Sequence, residues 1–154
     1  MILNGQDKTE ALGRYLGERV KAYDILALIG DLGAGKTTFV KALAEGMGFH
    51  GDVTSATFAI VNIYKGDPPL YHFDAYRLRD EEDFFQVGGE DLLGDAAVSA
   101  IEWANLIEES LPENYLVLEF RRIDETTREI TAKGVGPRGK ELEQEVAKYE
   151  DTRL

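Results

Sequence analysis

Residues 25–38 read Ile25-Leu26-Ala27-Leu28-Ile29-Gly30-Asp31-Leu32-Gly33-Ala34-Gly35-Lys36-Thr37-Thr38. The five apolar residues that open the stretch predict a strand buried on both faces. Residues 30–37 match the phosphate-binding pattern G-x-x-x-x-G-K-[ST] in full. Beyond it, Phe39, Val40, Leu43, Ala44 and Met47 recur at helical spacing, and Gly48 supplies a stop. Strand, glycine loop, lysine and helix follow in the order that phosphate binding requires. Gly30, Gly33 and Gly35 let the backbone curl so that its N–H groups face phosphate oxygens, with Ala34 inside the curl. The helix start at Thr38 adds partial positive charge at the same place. Lys36 is expected on the β- and γ-phosphates, and the Thr37 hydroxyl on Mg²⁺.

Working outward, strands and helices alternate, which predicts an α/β domain of three layers in the manner of P-loop NTPases. Its central sheet is expected to be mainly parallel, with antiparallel additions. Asp7-Lys8-Thr9-Glu10 reads as an acidic cap with glutamate three residues on. A first helix is therefore expected before the nucleotide-binding strand. Residues 58–64 read as one strand and 70–74 as its antiparallel return, joined through Gly66-Asp67-Pro68-Pro69. Residues 79–97 are acidic and irregular, broken by Gly88-Gly89 and Gly94. A strand over 97–101 ends in Glu102-Trp103, and 115–120 with 128–132 form a late antiparallel pair. Residues 134–139 read as a loop, and 140–149 as a short polar helix or frayed tail. With no repeat and no long linker, residues 1–154 are expected to form a single domain, less certainly from about 134 onward.

The chain has 154 residues, of which 44% are hydrophobic, enough to bury a core. No apolar stretch approaches the ~20 residues that span a bilayer, and residues 1–7 lack the pattern of a signal peptide. There is no cysteine, which excludes disulfides and thiolate metal sites. A cytoplasmic protein is expected. The net charge of −12 argues against direct gripping of a nucleic acid, so any link to one runs through a partner.

A phosphate loop needs a second acidic residue for Mg²⁺, normally at the end of a neighbouring strand. Asp74 and Glu102 both fit. Glu102 is preferred as metal-side carboxylate, since it ends the strand more convincingly buried on both sides. Asp74 is left to orient water, to meet the metal through water, or to cap the turn into Tyr76-Arg77. Thr54-Ser55-Ala56-Thr57 reads equally as a γ-phosphate sensor or as a plain turn. Arg77 offers transition-state charge, or a surface ion pair with the acids at 80–83. His72, inside an apolar strand, reads as a satisfied core histidine. Trp103 reads as packing or as a partner contact. Asp91-Leu92-Leu93-Gly94 matches a GTPase D-x-x-G, but no guanine-recognition motif follows, so the match is read as coincidence.

Four segments together resemble the TsaE (YjeE) family, the small ATPases of bacterial tRNA threonylcarbamoyladenosine biosynthesis. They are the 30–38 loop, Thr54-Ser55-Ala56-Thr57-Phe58, Tyr71-His72-Phe73-Asp74-Ala75-Tyr76-Arg77-Leu78 and Ile101-Glu102-Trp103. The histidine–aromatic–aspartate–x–tyrosine–arginine string discriminates better than the phosphate loop. The resemblance covers about residues 4–133. It implies ATP at residues 33–38, Mg²⁺ on Thr37 and Glu102, and a role for Asp74 in hydrolysis. It places Thr54 and Thr57 in a nucleotide-responsive loop and Thr9 near the nucleotide base. It also implies TsaD- and TsaB-type partners, which transfer threonylcarbamoyl to adenosine 37 of tRNA and hold the tRNA themselves. Two prolines usual in the family, after Thr-Ser and after Glu-Trp, are replaced by Ala56 and Ala104, which frees backbone without removing a chemical group. The alternatives are a small-molecule kinase, which would need an arginine-rich lid that the acidic 79–95 stretch does not offer, and a non-hydrolysing, nucleotide-gated binding module.

Overall fold

A computed structural model describes residues 1–31, 33–50, 55–58, 61–78 and 80–152; for 55–58 and Arg77 the description is of the backbone. The elements run β1 (Ile2–Asn4), α1 (Gln6–Gly17), β2 (Ile25–Gly30), α2 (Lys36–Gly46), β3 (Ser55–Phe58), β4 (Val61–Tyr64) and β5 (Leu70–Asp74). A 3₁₀ turn (Ala75–Arg77) then leads to α3 (Glu81–Gln86), α4 (Gly89–Leu93) and β6 (Val98–Glu102). A 3₁₀ segment (Ala104–Ser110), β7 (Tyr115–Arg122), β8 (Thr127–Val135) and α5 (Gly136–Thr152) complete the order.

All eight strands form one sheet in the order β1-β8-β7-β2-β6-β5-β4-β3. Its centre is parallel: β2 pairs with both β6 and β7, and β5 pairs with β6. Both edges are antiparallel, through β8 and β1 on one side and β4 and β3 on the other. This is the expected three-layer α/β arrangement, with antiparallel additions at each side of a parallel core. The continuous apolar runs of β2 and β6 follow from burial on both faces.

Period-two alternation divides the core in two. Leu26 and Leu28 of β2, Leu70 of β5, and Val98 and Ala100 of β6 face Leu12 and Leu16 of α1, Phe39, Val40 and Leu43 of α2, and Leu142 and Val146 of α5. Ile25, Ala27, Phe73 and Ile101 face the other way, onto Phe84 of α3, Leu93 of α4, and Ala104 and Ile107 of the 3₁₀ segment.

Several local expectations need correction. The helix α1 begins at Gln6, with Gly5 as cap residue and no side-chain cap, so Asp7 lies in the first turn instead of capping it. The 58–64 stretch is divided: β3 ends at Phe58, β4 begins at Val61, and Phe58 pairs with Val61. Apolar Ala59-Ile60 carries no turn signal to announce the reversal. The short edge strand β1 was not foreseen. Nor is 134–139 a loop, because β8 runs to Val135 and α5 starts at Gly136. Pro137 and the nearby glycines suggested a break, but proline is tolerated in a first helical turn. Gly134 is also where β8 meets α5 most closely, since an added Cβ would strike the Gly139 carbonyl.

The tail is therefore part of the fold. Tyr149 packs on Tyr15 with ring centroids 4.7 Å apart. The Arg138 guanidinium donates to both oxygens of Asp24, Nε to Oδ1 at 2.8 Å and Nη2 to Oδ2 at 2.7 Å. Asp24 is 3% exposed, so this fork neutralises a carboxylate that has little access to water. Removing one partner of such a pair strands the other. Arg138→Ala is expected to cost about 3 kcal/mol in urea unfolding. Glu141→Ala, which removes only an exposed partner 3.6 Å from Arg138, is expected to change stability by less than about 0.5 kcal/mol.

Candidate functional site

Three adjacent parallel strands end together. In register, Leu28 of β2 sits opposite Glu102 of β6, and Glu102 sits opposite Asp74 of β5. On the face that α2 covers, each strand turns polar or small towards its C-terminal end: Leu26, Leu28, Gly30; Val98, Ala100, Glu102; Leu70, His72, Asp74. The carboxyl ends of parallel strands are where open α/β sheets place ligands.

The loop from β2 to α2 lies over this edge. Gly30, Gly33 and Gly35 have φ of 138°, 77° and 103°, values that favour glycine. The 11-residue α2 has no side-chain cap at Gly35, so its first N–H groups are left to the cleft. Lys36 is 5% exposed, and its ammonium donates to the carbonyls of Gly30 at 2.7 Å and Asp31 at 2.9 Å. The same nitrogen lies 4.3 Å from the centre of the Trp103 ring. Burial lowers the Lys36 pKa below its usual value, against the pull of Glu102, Asp31 and Asp74.

Glu102 is the meeting point. The Thr37 hydroxyl lies 2.9 Å from its Oε1 and 3.0 Å from its Oε2. His72 Nε2 lies 2.6 Å from Oε2. Burial alone would raise the carboxyl, but the hydrogen bond and charge of His72, the Thr37 hydroxyl and the Lys36 ammonium outweigh it and hold the pKa below the usual range. Glu102 is thus a buried, ionised carboxylate.

A cleft of about 490 Å³ opens above these groups. Its floor is residues 33–38, Glu102 and Trp103, and one wall is the start of α1 through Gly5, Gln6 and Thr9. The other wall, the β7–β8 hairpin with Glu125, Thr126 and Arg128, was missed by sequence reasoning. The Thr126 carbonyl accepts from Gly5 N at 2.6 Å, and Arg128 Nη2 donates to the Gly33 carbonyl at 3.2 Å. No local pattern marks these residues; they reach the site because β8 pairs with β1, which feeds α1.

Of the sequence candidates, Thr9, Gly33, Ala34, Gly35, Lys36, Thr37, Thr38, Glu102 and Trp103 line this cleft. Gly30 contributes its carbonyl to Lys36. Asp74 does not line the cleft; beside Glu102, its Oδ1 accepts from Tyr76 N at 3.0 Å and caps the 3₁₀ turn. Tyr76, 61% exposed, packs on Trp103 with centroids 5.0 Å apart. Trp103 itself has a left-handed backbone (φ 59°) at the turn into the 3₁₀ segment. His72, read as a core histidine, is partly buried, but with a carboxylate as its partner. Thr54 and the side chains of Thr57 and Arg77 lie outside the described residues.

The oxygen donors Thr37 and Glu102 suit a hard cation such as Mg²⁺, which takes few protein ligands and fills its shell with phosphate and water. Among the described residues, no group of three histidine or acidic side chains is placed to hold a metal ion alone. The fit is to Mg²⁺ arriving with a phosphate ligand.

Residues 3–130 match the family described as "Threonylcarbamoyl adenosine biosynthesis protein TsaE". A protein of that name from Bacillus subtilis is 40% identical over 94% of this chain and 91% of its own length. Another from Treponema pallidum is 38% identical over 80% of this chain and 91% of its own. The crystal structure of Bacillus subtilis YdiB superposes with a TM-score of 0.76 at 36% identity, covering 97% of this chain and 94% of that one.

A carboxylate with a depressed folded-state pKa contributes stability above its unfolded value, lost as pH falls through the folded value. For Glu102 that loss begins below its usual 4.5. The Tm of the parent relative to Glu102→Gln is therefore expected to fall as pH drops below that value, as read by thermal melts across the acid range.

Proposed function

The chain belongs to the TsaE family of tRNA threonylcarbamoyladenosine biosynthesis, and on that premise we propose that it binds Mg-ATP in the cleft over residues 30–38 and hydrolyses it. The observation that carries this reading is the meeting of the Thr37 hydroxyl with the Glu102 carboxylate at 2.9 Å, one residue from the loop lysine. A hydroxyl and a carboxylate at the end of a strand beside a glycine loop form the metal half of a phosphate-transfer site.

The loop lysine is satisfied by the loop's own carbonyls and is poised for exchange. The β- and γ-phosphates replace the Gly30 and Asp31 carbonyls as acceptors for Lys36, a charged acceptor in place of neutral ones. The N–H groups of residues 33–38 and the open start of α2 hold the remaining phosphate oxygens. Thr37 and Glu102 would hold Mg²⁺, which would supply charge neutralisation to the phosphates. Asp74, next to Glu102 across the β5–β6 pair, orients the attacking water. Thr9 stands at the nucleoside end, and Arg128 adds positive charge at the outer wall.

Hydrolysis serves threonylcarbamoyl transfer to adenosine 37 of tRNA, carried out by TsaD- and TsaB-type partners in the cytoplasm. Loss of γ-phosphate contacts reorganises the 54–58 and 74–78 segments, resetting the contact with the partners. The charge of −12 fits a subunit that leaves tRNA to those partners.

The test is ATP hydrolysis by the purified chain, alone and with the TsaB–TsaD pair. Slow turnover that rises with the pair and falls at least about 100-fold in Lys36→Ala is the expected result. Unchanged turnover in Lys36→Ala contradicts the assignment. Binding without hydrolysis in either condition leaves a nucleotide-gated binding module, and fast turnover indifferent to the pair points to a kinase.

A further inference from the structure

We infer that His72 is a positioning residue for Glu102: its imidazole clamps Oε2 and so fixes the carboxylate plane, beside the Thr37 hydroxyl, with Oε1 held for the cation that accompanies ATP. This rests on the Mg-ATP reading above and deepens it.

The β5–β6 register makes the contact possible. His72 lies opposite Ala100, and Glu102 is two residues further along β6 on the same face. The small side chain of Ala100 leaves room for the ring to lean along the strand to the carboxylate. Both side chains are nearly covered, 11% exposed for His72 and 9% for Glu102. An ionised carboxylate only accepts, so the 2.6 Å contact is Nε2–H donating to Oε2. The Thr37 hydroxyl lies almost midway, 2.9 Å from Oε1 and 3.0 Å from Oε2, so Oε2 carries the imidazole as well and Oε1 is the oxygen with only the hydroxyl beside it.

Without the donor, a buried carboxylate is short of a partner and free to rotate about its last torsion, which is broad. The Lys36 ammonium, whose charge already acts on Glu102, draws the freed carboxylate. Turning towards it takes an oxygen away from the cation's place beside Thr37. Such supporting contacts hold ligand carboxylates in other metal sites, where losing them weakens the metal more than the fold.

The test compares His72→Phe, which fills the space without donating, with His72→Gln, whose amide N–H can take the place of Nε2–H. Mn²⁺ affinity is read by electron paramagnetic resonance on the complex with a non-hydrolysable ATP analogue. Metal-free analogue affinity and Tm are measured beside it. His72→Phe is expected to weaken Mn²⁺ about 10- to 100-fold while metal-free affinity stays within about twofold, and His72→Gln to recover most of the loss. Mn²⁺ affinity within about twofold of the parent in His72→Phe, or a His72→Gln as impaired as His72→Phe, overturns the inference. If the Phe variant does not fold, His72→Leu takes its place under the same criteria. A parent whose analogue complex holds Mn²⁺ no better than the free analogue overturns the Mg-ATP reading and this inference together. A parent that does, with both variants like it, overturns this inference alone.

Discussion

A carboxylate buried at the end of the central sheet organises this molecule's functional edge. Every residue of β6 is buried, including Glu102 at its last position. A charge so placed is costly unless donors surround it. Two elements of the fold supply them. β5 brings His72, and the first turn of α2 brings the Thr37 hydroxyl, with Lys36 beside it within electrostatic reach. Moving either element by one residue would break the set. Strand register and helix entry are thus fixed by the charge as well as by packing.

The same economy governs the glycine loop. Its lysine is held by two carbonyls of the loop and by the face of Trp103. The Trp103 ring in turn carries exposed Tyr76, on the turn capped by Asp74. A continuous run of contacts therefore joins the loop lysine to the surface at Tyr76. In a phosphate-bound state Lys36 would no longer be needed by Gly30 and Asp31, and each member of that run would feel the exchange.

The sequence announced the parts of the site whose chemistry is local. Gly30 to Thr37 is legible because positive φ, close backbone approach and a helix start each demand particular residues in consecutive places. Glu102 was legible as the polar end of an apolar strand; Asp74, legible in the same way, caps the 3₁₀ turn outside the cleft. His72 was not legible, because its meaning lies in a register that no single strand reveals. Arg128 and Thr126 were missed because their hairpin reaches the cleft through pairing with β1, a three-residue edge strand with no pattern of its own. The division between β3 and β4 was hidden because the sequence joining them, Ala59-Ile60, is apolar. The start of α5 was hidden by Gly136-Pro137, which reads as a break but is compatible with a helix's first turn. Burial of Leu142 and Val146 then turned a polar-looking tail into part of the core.

Calorimetric titration of ATP into the purified chain, with and without Mg²⁺, tests the central claim most directly, since it asks only whether loop, lysine, hydroxyl and carboxylate form one site. The account predicts a single saturable event per chain that Mg²⁺ strengthens and that Glu102→Gln makes indifferent to the metal. No heat of binding, or an affinity that ignores Mg²⁺ in the parent, would contradict it.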